Sequence, residues 1–377
     1  MKKSYIWPLV NRFSHLFLII TLGVSYTFGN YADYLNLHIQ FGMALGVAFI
    51  FRILWGVIGP KYSRFRDFNF SISDLKDYML GTLDYFLSIG KKSKEYVGHN
   101  PASSFAIVVM MILTCLAIIT GLLALGIENN HGVFSFINSP VMKEMEIFSG
   151  LHSLLANALM LVVGAHVAGS LIDKYIKKSD AIDSMISGYK KTQELLSVKL
   201  NMFQILFAFI WVAGSLFTLY YMIFTKDNIF LTSANVKQDY AAMHQDFATE
   251  CADCHMLYPP YYLPKKSWGS MMSSLSNHFG EDASLDDATT KSIATFLQNN
   301  SSETSNERFA YKMTKDLKNK PDILSVTKSR YWSHKHSHID AAVFKSEHVK
   351  YKANCVACHK DADKGLLDYD LIKVPKA

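Results

Sequence analysis

Long apolar runs separated by polar stretches fill the first 225 residues of the chain, and then the pattern stops. Five runs, roughly residues 9–29, 37–59, 103–127, 148–172 and 203–225, each approach the ~20 residues that a helix needs to cross a bilayer. No comparable run follows Phe224, so the remainder reads as a soluble domain. The 377 residues suffice for a membrane bundle plus one such domain. Between the runs, residues 74–89 read as an amphipathic helix whose apolar stripe packs against its own loop. Residues 284–298 read as a short helix capped by Ser284, with Asp287 three positions on, followed by a polar loop over 299–307.

The basic residues give the runs an orientation. Lys2, Lys3 and Arg12 precede or open the first. Lys61, Arg64, Arg66, Lys91, Lys92 and Lys94 lie between the second and third, and Lys174, Lys177, Lys178, Lys190 and Lys191 between the fourth and fifth. The other two connections, around 30–36 and 128–146, hold only Lys143. By the positive-inside rule the N-terminus is cytoplasmic and everything after the fifth run is outside. The net charge of +6 is therefore a membrane-rim charge, and no nucleic-acid partner is needed to explain it. The first run lacks a small-residue cleavage site and leads straight into the second, which reads as an uncleaved anchor. Tyr220 and Tyr221 suit an interfacial aromatic belt at the outer end of the fifth.

Four of the five cysteines form two identical patterns, Cys251-Ala-Asp-Cys254-His255 and Cys355-Val-Ala-Cys358-His359. CxxCH is the attachment motif of c-type haem: two thiols add to the vinyl groups, and the adjoining imidazole, His255 or His359, reaches the iron. Paired CxxC motifs also bind zinc, but at spacings of about 15–20 residues. These lie about a hundred apart, and zinc leaves both histidines unexplained. Disulfides form outside the cell but likewise leave them unexplained. Cys115, inside the third run, reads as a small buried apolar residue. His244, His278, His334, His336, His338 and His348, with Met256, Met271, Met272 and Met313, are available as sixth ligands. The number of histidines favours bis-histidine ligation, and composition alone does not choose among them.

The fourth run, LHSLLANALMLVVGAH, carries His152 and His166. Fourteen residues of helix rise about 21 Å and turn through almost four whole turns, so both side chains share a face, one near each side of the bilayer. Titratable groups are costly in hydrocarbon and mark function there. His15, early in the first run, matches the inner depth of His166, and His38, early in the second, matches the outer depth of His152. The alternative is interhelical hydrogen bonding. Four histidines at two matched depths favour two haems stacked across the membrane. Gly42, Gly46, Gly164 and Gly169 suit either close haem approach or helix packing. Arg12 and Arg52 suit either haem propionates or rim anchoring. His99 and His131 lie in loops at the wrong depth and read as surface or loop residues.

Residues 5–191 resemble the prokaryotic cytochrome b561 family, the membrane b-type cytochromes related to hydrogenase and thiosulfate-reductase subunits. The resemblance rests on Trp7-x4-Arg12-x2-His15, on RILWGVIGPKYSRF from Arg52, on YVGHNPAS from Tyr96, and on LHSLLANALMLVVGAHVAGS. It implies a four-helix bundle holding two b haems between histidines, at His15, His38, His152 and His166. Residues from about 240 onward resemble the dihaem cytochrome c domain through CADCHMLYPPYYLPKKSW, LSNHFGEDASLD, YWSHKH and KANCVACHKDADKG. That resemblance implies bis-histidine haems and points to His278 and His336 as distal ligands.

The expected architecture is all-α. A transmembrane four-helix bundle (1–200) with two haem b is joined by a fifth span (201–226) to a helical, loop-rich periplasmic domain (227–377) with two haem c. The odd number of spans is what places the covalent haems outside. There is no phosphate loop, nucleophile elbow or nicotinamide fold, and no internal repeat beyond the two haem motifs. The expected function is electron transfer in the bacterial inner membrane, between the quinone pool and a periplasmic cytochrome or oxidoreductase. Two other readings are a cytochrome subunit feeding electrons inward from a larger, hydrogenase-like oxidoreductase, and a haem-based sensor.

Overall fold

The computed structural model describes residues 2–376 apart from 32–33, 87–95, 138, 226–227, 233, 235 and 368–371. Lys91, Lys92, Lys94 and the end of the 74–89 helix lie outside the described residues. The chain divides into two compact units. The first comprises Met1–Gly121 with Ser149–Asn228, and the second Leu122–Phe148 with Ile229–Ala377.

The first unit runs β1 (Lys2–Tyr5), α1 (Leu9–Phe28), α2 (Leu35–Ile58), α3 (Ile72–Phe86), and α4 (Pro101–Leu123, continuing as a π-helical turn to Glu128). After the second unit's α5 (Pro140–Met145) follow α6 (Ile147–Tyr175), α7 (Ala181–Ser187), β2 (Tyr189–Thr192) and α8 (Met202–Phe224). Among the described residues, α1, α2, α4 with its π turn, α6 and α8 are the five helices long and apolar enough to cross a membrane. Ala44 and Ala48 on α2 are small enough for α1 to approach closely, and they pack with Phe17. α2 meets α8 through an aromatic ladder of Phe51, Trp55, Phe207 and Trp211, with neighbouring ring centroids 5.3–6.3 Å apart. Its polar atoms are satisfied across helices. Trp55 Nε1 donates to Asn11 Oδ1 at 2.8 Å, Trp211 Nε1 to the Val47 carbonyl at 3.1 Å, and Gln204 Nε2 to the Ile58 carbonyl at 2.8 Å. Asn201 and Gln204 form a capping box that starts α8.

Only 6% of the apolar window of α4, and of α6, is buried in protein, against 39% for α2. Apolar surface on that scale is untenable in water, which makes lipid the solvent of these faces. The expected apolar stripe of α3 does not pack as anticipated: Ile72, Met79 and Leu83 are exposed. α3 is held instead by polar contacts. Tyr78 Oη donates to Asp173 (2.6 and 2.7 Å), a buried carboxylate near the end of α6 that also accepts from Asn100 (3.1 Å) and pairs with Lys177 (3.2 Å).

The chain is all-α as expected, with two short strands added to the helices. β1 and β2 pair antiparallel, Lys2 opposite Thr192 and Tyr5 opposite Tyr189. The signal was hidden in Gly188. Its φ of +86° lets the chain turn out of α7, and a Cβ there would lie 2.8 Å from the Tyr5 ring. Its carbonyl accepts from the amides of Ile6 and Trp7.

The second unit has α9 (Tyr240–Met243), α10 (Gln245–Ala252), α11 (Lys265–Met272), α12 (Asp287–Asn299), α13 (Arg308–Leu317) and α14 (Arg330–Lys335), joined by loops and 3-10 turns. Phe247, Tyr262, Ile293, Leu297, Met313 and Leu317 form its centre, none more than 2% exposed. α12 is capped by Asp286, whose carboxylate accepts from the amides of Ala288 and Thr289 at 3.0 Å. Ser284, the expected cap, is turned back onto Asp282. The segment 122–148, a bare connection in the sequence, is built into this unit. Glu146 pairs with both Arg308 and Lys312, the Gly132 amide donates to the Thr232 carbonyl (3.0 Å), and the Ala234 amide to the Asn130 carbonyl (2.8 Å).

Candidate haem-binding sites

The structure brings the histidines singled out by spacing and resemblance into facing pairs. His38 (α2) and His152 (α6) have ring centroids 5.6 Å apart. His255 and His278 are 6.1 Å apart, and His336 and His359 are 6.2 Å apart. At a metal–imidazole bond of about 2 Å, rings on opposite sides of one ion have centroids about 6 Å apart. His15 (α1) and His166 (α6) lie within electrostatic reach of each other and of Arg52.

A second feature selects the ligating atom. His38 Nδ1 lies 2.8 Å from the Ser25 carbonyl, and His152 Nδ1 2.8 Å from the Ala117 carbonyl. His255 Nδ1 is 2.7 Å from the Met256 carbonyl, and His336 Nδ1 2.9 Å from the Trp332 carbonyl. A carbonyl only accepts, so Nδ1 carries the proton and Nε2 keeps a lone pair for a metal. Three imidazoles of the second unit are pushed toward the neutral form. Burial lowers those of His278 and His336, and burial with His336 nearby pulls His359 down to about 4. These donor sets fit haem iron.

Glycine backs the His38–His152 pair. A Cβ on Gly29 would stand 2.9 Å from His38 Nδ1, and one on Gly121 would stand 3.0 Å from the His152 ring, so both imidazoles lie against bare backbone. Sequence reasoning chose other glycines. A Cβ on Gly164 or Gly169 meets nothing within 4 Å, and Gly42 and Gly46 meet only ordinary or slightly tight contacts. Gly29 and Gly121 are distant in sequence from the histidines they serve, and no local pattern marks them.

The two arginines, which suit either haem propionates or rim anchoring, are held by backbone and aromatic contacts. Arg12 donates from Nη1 to the Ile186 carbonyl at 2.7 Å, while its buried Nε makes no hydrogen bond. Arg52 lies over the Phe65 and Phe68 rings, 5.3 and 5.9 Å from their centroids. Burying an unsatisfied donor costs about 1–3 kcal/mol, which a carboxylate would relieve. His99 departs from the expectation of a surface residue. Its ring lies 5.1 Å from Trp7 and 4.6 Å from Phe68, its Nδ1 is buried without a partner, and burial with Arg52 nearby pulls it down to about 3. The GHNP stretch carries it inward because Asn100, the next residue, is tied to Tyr78 and Asp173.

The thiols stand next to the pairs, with Cys254 exposed, Cys251 and Cys355 half-buried and Cys358 buried. Cys115 is half-buried rather than buried. Among the described residues no group of three or more His, Cys, Asp or Glu converges on a metal-sized site, so the two CxxC pairs are not joined into one zinc centre. His244 is otherwise engaged: its Nδ1 accepts from the Phe247 amide as the cap of α10, and its Nε2 meets Ser292 Oγ at 3.0 Å. Met313 is core, wholly buried.

Paired imidazoles in lipid-facing helices and paired imidazoles beside CxxCH motifs define a multi-pass membrane haem protein of electron transport. Residues 6–188 match the family model for prokaryotic cytochrome b561, and residues 247–367 match that for dihaem cytochrome c, so the chain joins a cytochrome b561 part to a dihaem cytochrome c part. Its membrane part is 26% identical over 167 residues to the probable Ni/Fe-hydrogenase B-type cytochrome subunit of Bradyrhizobium diazoefficiens, covering 42% of this chain and 66% of that one. It is 25% identical over 174 residues to the probable Ni/Fe-hydrogenase 1 B-type cytochrome subunit of Escherichia coli K12, covering 42% and 72%. Its C-terminal part is similar to a crystal structure of a dihaem cytochrome c from Rhodobacter sphaeroides. There the identity is 32%, the coverage 35% of this chain and 99% of that one, and the TM-score 0.30.

Proposed function

We propose that this chain moves electrons between the membrane quinone pool and a soluble periplasmic redox partner, by way of two non-covalent b haems and two covalent c haems. The observation that carries the reading is the set of facing imidazole pairs, each with at least one ring whose Nδ1 proton is tied to a backbone carbonyl. Haem iron, when bound, exchanges one electron at a time. The protein holds His38, His152, His255 and His336 each in one tautomer, and paired imidazoles would complete the coordination of a bound iron and leave no site open for a substrate. His38 with His152, and His15 with His166, would hold the b haems, with Arg12 and Arg52 neutralising propionates. His255 with His278, and His359 with His336, would hold the c haems on Cys251, Cys254, Cys355 and Cys358.

The orientation with an inside N-terminus and an outside C-terminal unit, in a bacterial inner membrane, rests on Lys61, Arg64, Arg66, Lys174, Lys177, Lys178 and Lys190 lying on one side of the apolar helices. Anaerobic addition of a quinol to the purified chain should bleach first the b-type and then the c-type oxidised spectra. Reduction by dithionite but not by any quinol would overturn the reading. The similarity to hydrogenase b-type subunits supports a second one, in which a larger oxidoreductase feeds electrons to quinone. Copurification of a large catalytic subunit, with reduction of the c haems only in its presence, would select it.

A further inference from the structure

The two histidine pairs of the second unit stand in opposite electrostatic surroundings. The residues flanking His255–His278 are acidic and exposed: Glu250 precedes Cys251, Asp253 lies between the two cysteines, and Glu281 and Asp282 follow Phe279. The Glu281 backbone is bridged to that of His278, amide to carbonyl in both directions at 2.7 and 3.2 Å, which fixes its side chain beside the site. At the other pair the exposed flanking charges are lysines, while Asp361, two residues beyond His359, is buried and Asp363 half-buried. Lys335 adjoins His336, Lys360 follows His359, and Lys352 lies 5.9 Å from the ring of Trp332, itself stacked on His336 at 4.4 Å.

Phe279, 4.9 Å from the His278 ring, is 62% exposed. A bare aromatic side chain costs solubility unless something covers it, and an apolar centre with a charged rim is the build of a protein-docking face.

We propose that the surface around Cys254, Phe279, Glu281 and Asp282 is the docking face for a soluble redox protein whose own haem or metal edge is ringed by lysine or arginine. The inference rests on the proposed electron-transfer function and adds the exit site and the partner's charge. Carboxylates here attract a basic partner, and the lysines around His336–His359 repel it, so encounter is steered to one site of the two. Charge steering raises association rates by about 10–1,000-fold at low salt and fades as the Debye length falls to about 8 Å near 0.15 M.

The test uses the full chain with all haems, reduced chemically by dithionite so that the result does not depend on quinol oxidation. It is mixed in stopped flow with an oxidised, lysine-rich soluble cytochrome c, or with the same cytochrome after succinylation of its lysines. The expected results are a second-order rate that falls about tenfold or more between 10 and 200 mM salt, a much slower reaction with the succinylated form, and salt-dependent binding of the oxidised pair in calorimetry. Asp253→Lys/Glu281→Lys/Asp282→Lys should remove the salt dependence and most of the low-salt rate, with low-spin haem spectra unchanged, and Phe279→Ser should weaken binding at every salt concentration. A rate indifferent to salt and to the triple substitution would overturn the proposal. So would a reaction faster with the succinylated cytochrome and abolished by Lys335→Glu/Lys352→Glu/Lys360→Glu. Failure of quinol to reduce the chain, with these results intact, would count against the quinone reading alone.

Discussion

His38 and His152 meet from two helices far apart in the sequence, whereas His255 sits one residue beyond the second thiol of a CxxCH motif. On the proposed reading, an imidazole in the membrane unit would be at once a ligand and the main means of retaining the cofactor, because α6, which carries His152 and His166, is only 6% buried in protein. In the second unit the thiols would retain the group and the histidines would only complete its coordination, around a core in which Phe247, Ile293 and Leu297 are at most 1% exposed. The difference teaches that the same bis-imidazole arrangement carries different burdens in the two places, so equivalent substitutions should fail differently.

The largest effect is expected from removing one membrane histidine. His152→Ala should lose one of two extractable protohaems per chain, read by pyridine haemochrome. His336→Ala should keep both covalent haems and convert one to a high-spin form that binds carbon monoxide. If both variants lost haem to the same extent, the distinction between the two regions would fall. Next comes the glycine backing. Gly121→Leu drives a side chain toward an imidazole that a Cβ alone would approach to 3.0 Å, and it should displace the outer b haem while leaving c-haem content unchanged.

Smaller again, Arg12→Leu should keep haem content and lower the potential of the b haem at the His15–His166 end, by about 60 mV or less, a tenfold change or under in a one-electron equilibrium. The smallest is acid sensitivity in the second unit. Burial would raise the Glu146 carboxyl, but hydrogen bonds from Lys312 and Arg308 hold it down at about 2, against an ordinary 4.5. A depressed carboxylate stabilises above the ordinary value, and that contribution fades as pH falls from about 4.5 toward 2. Solvent reaches this pair, so the contribution is at most about 1 kcal/mol. Glu146→Gln should flatten the acid limb of the unit's thermal stability by that amount.

Much of this was legible before the fold. The spans announce themselves because lipid demands unbroken apolar length, and the covalent sites because two thiols and an imidazole must fall within five residues. Depth alone paired the four membrane histidines, since helix rise converts sequence distance into height. Features set by partners remote in sequence were not legible. The backing of His38 by Gly29 and of His152 by Gly121, the Nδ1 bonds to the Ser25 and Ala117 carbonyls, and the joining of 122–148 to the second unit all depend on helix packing that no local pattern encodes. His99 misled because loop position suggested exposure, while Asn100 beside it is anchored to a buried carboxylate. Ser284 misled because Asp286, two residues on, is the better placed acceptor.

Haem stoichiometry by acid–acetone extraction tests the central claim most directly. The account predicts two protohaems released and two haems left bound to each polypeptide, all four low-spin. Covalent haem with nothing extractable from a fully assembled membrane preparation would contradict it.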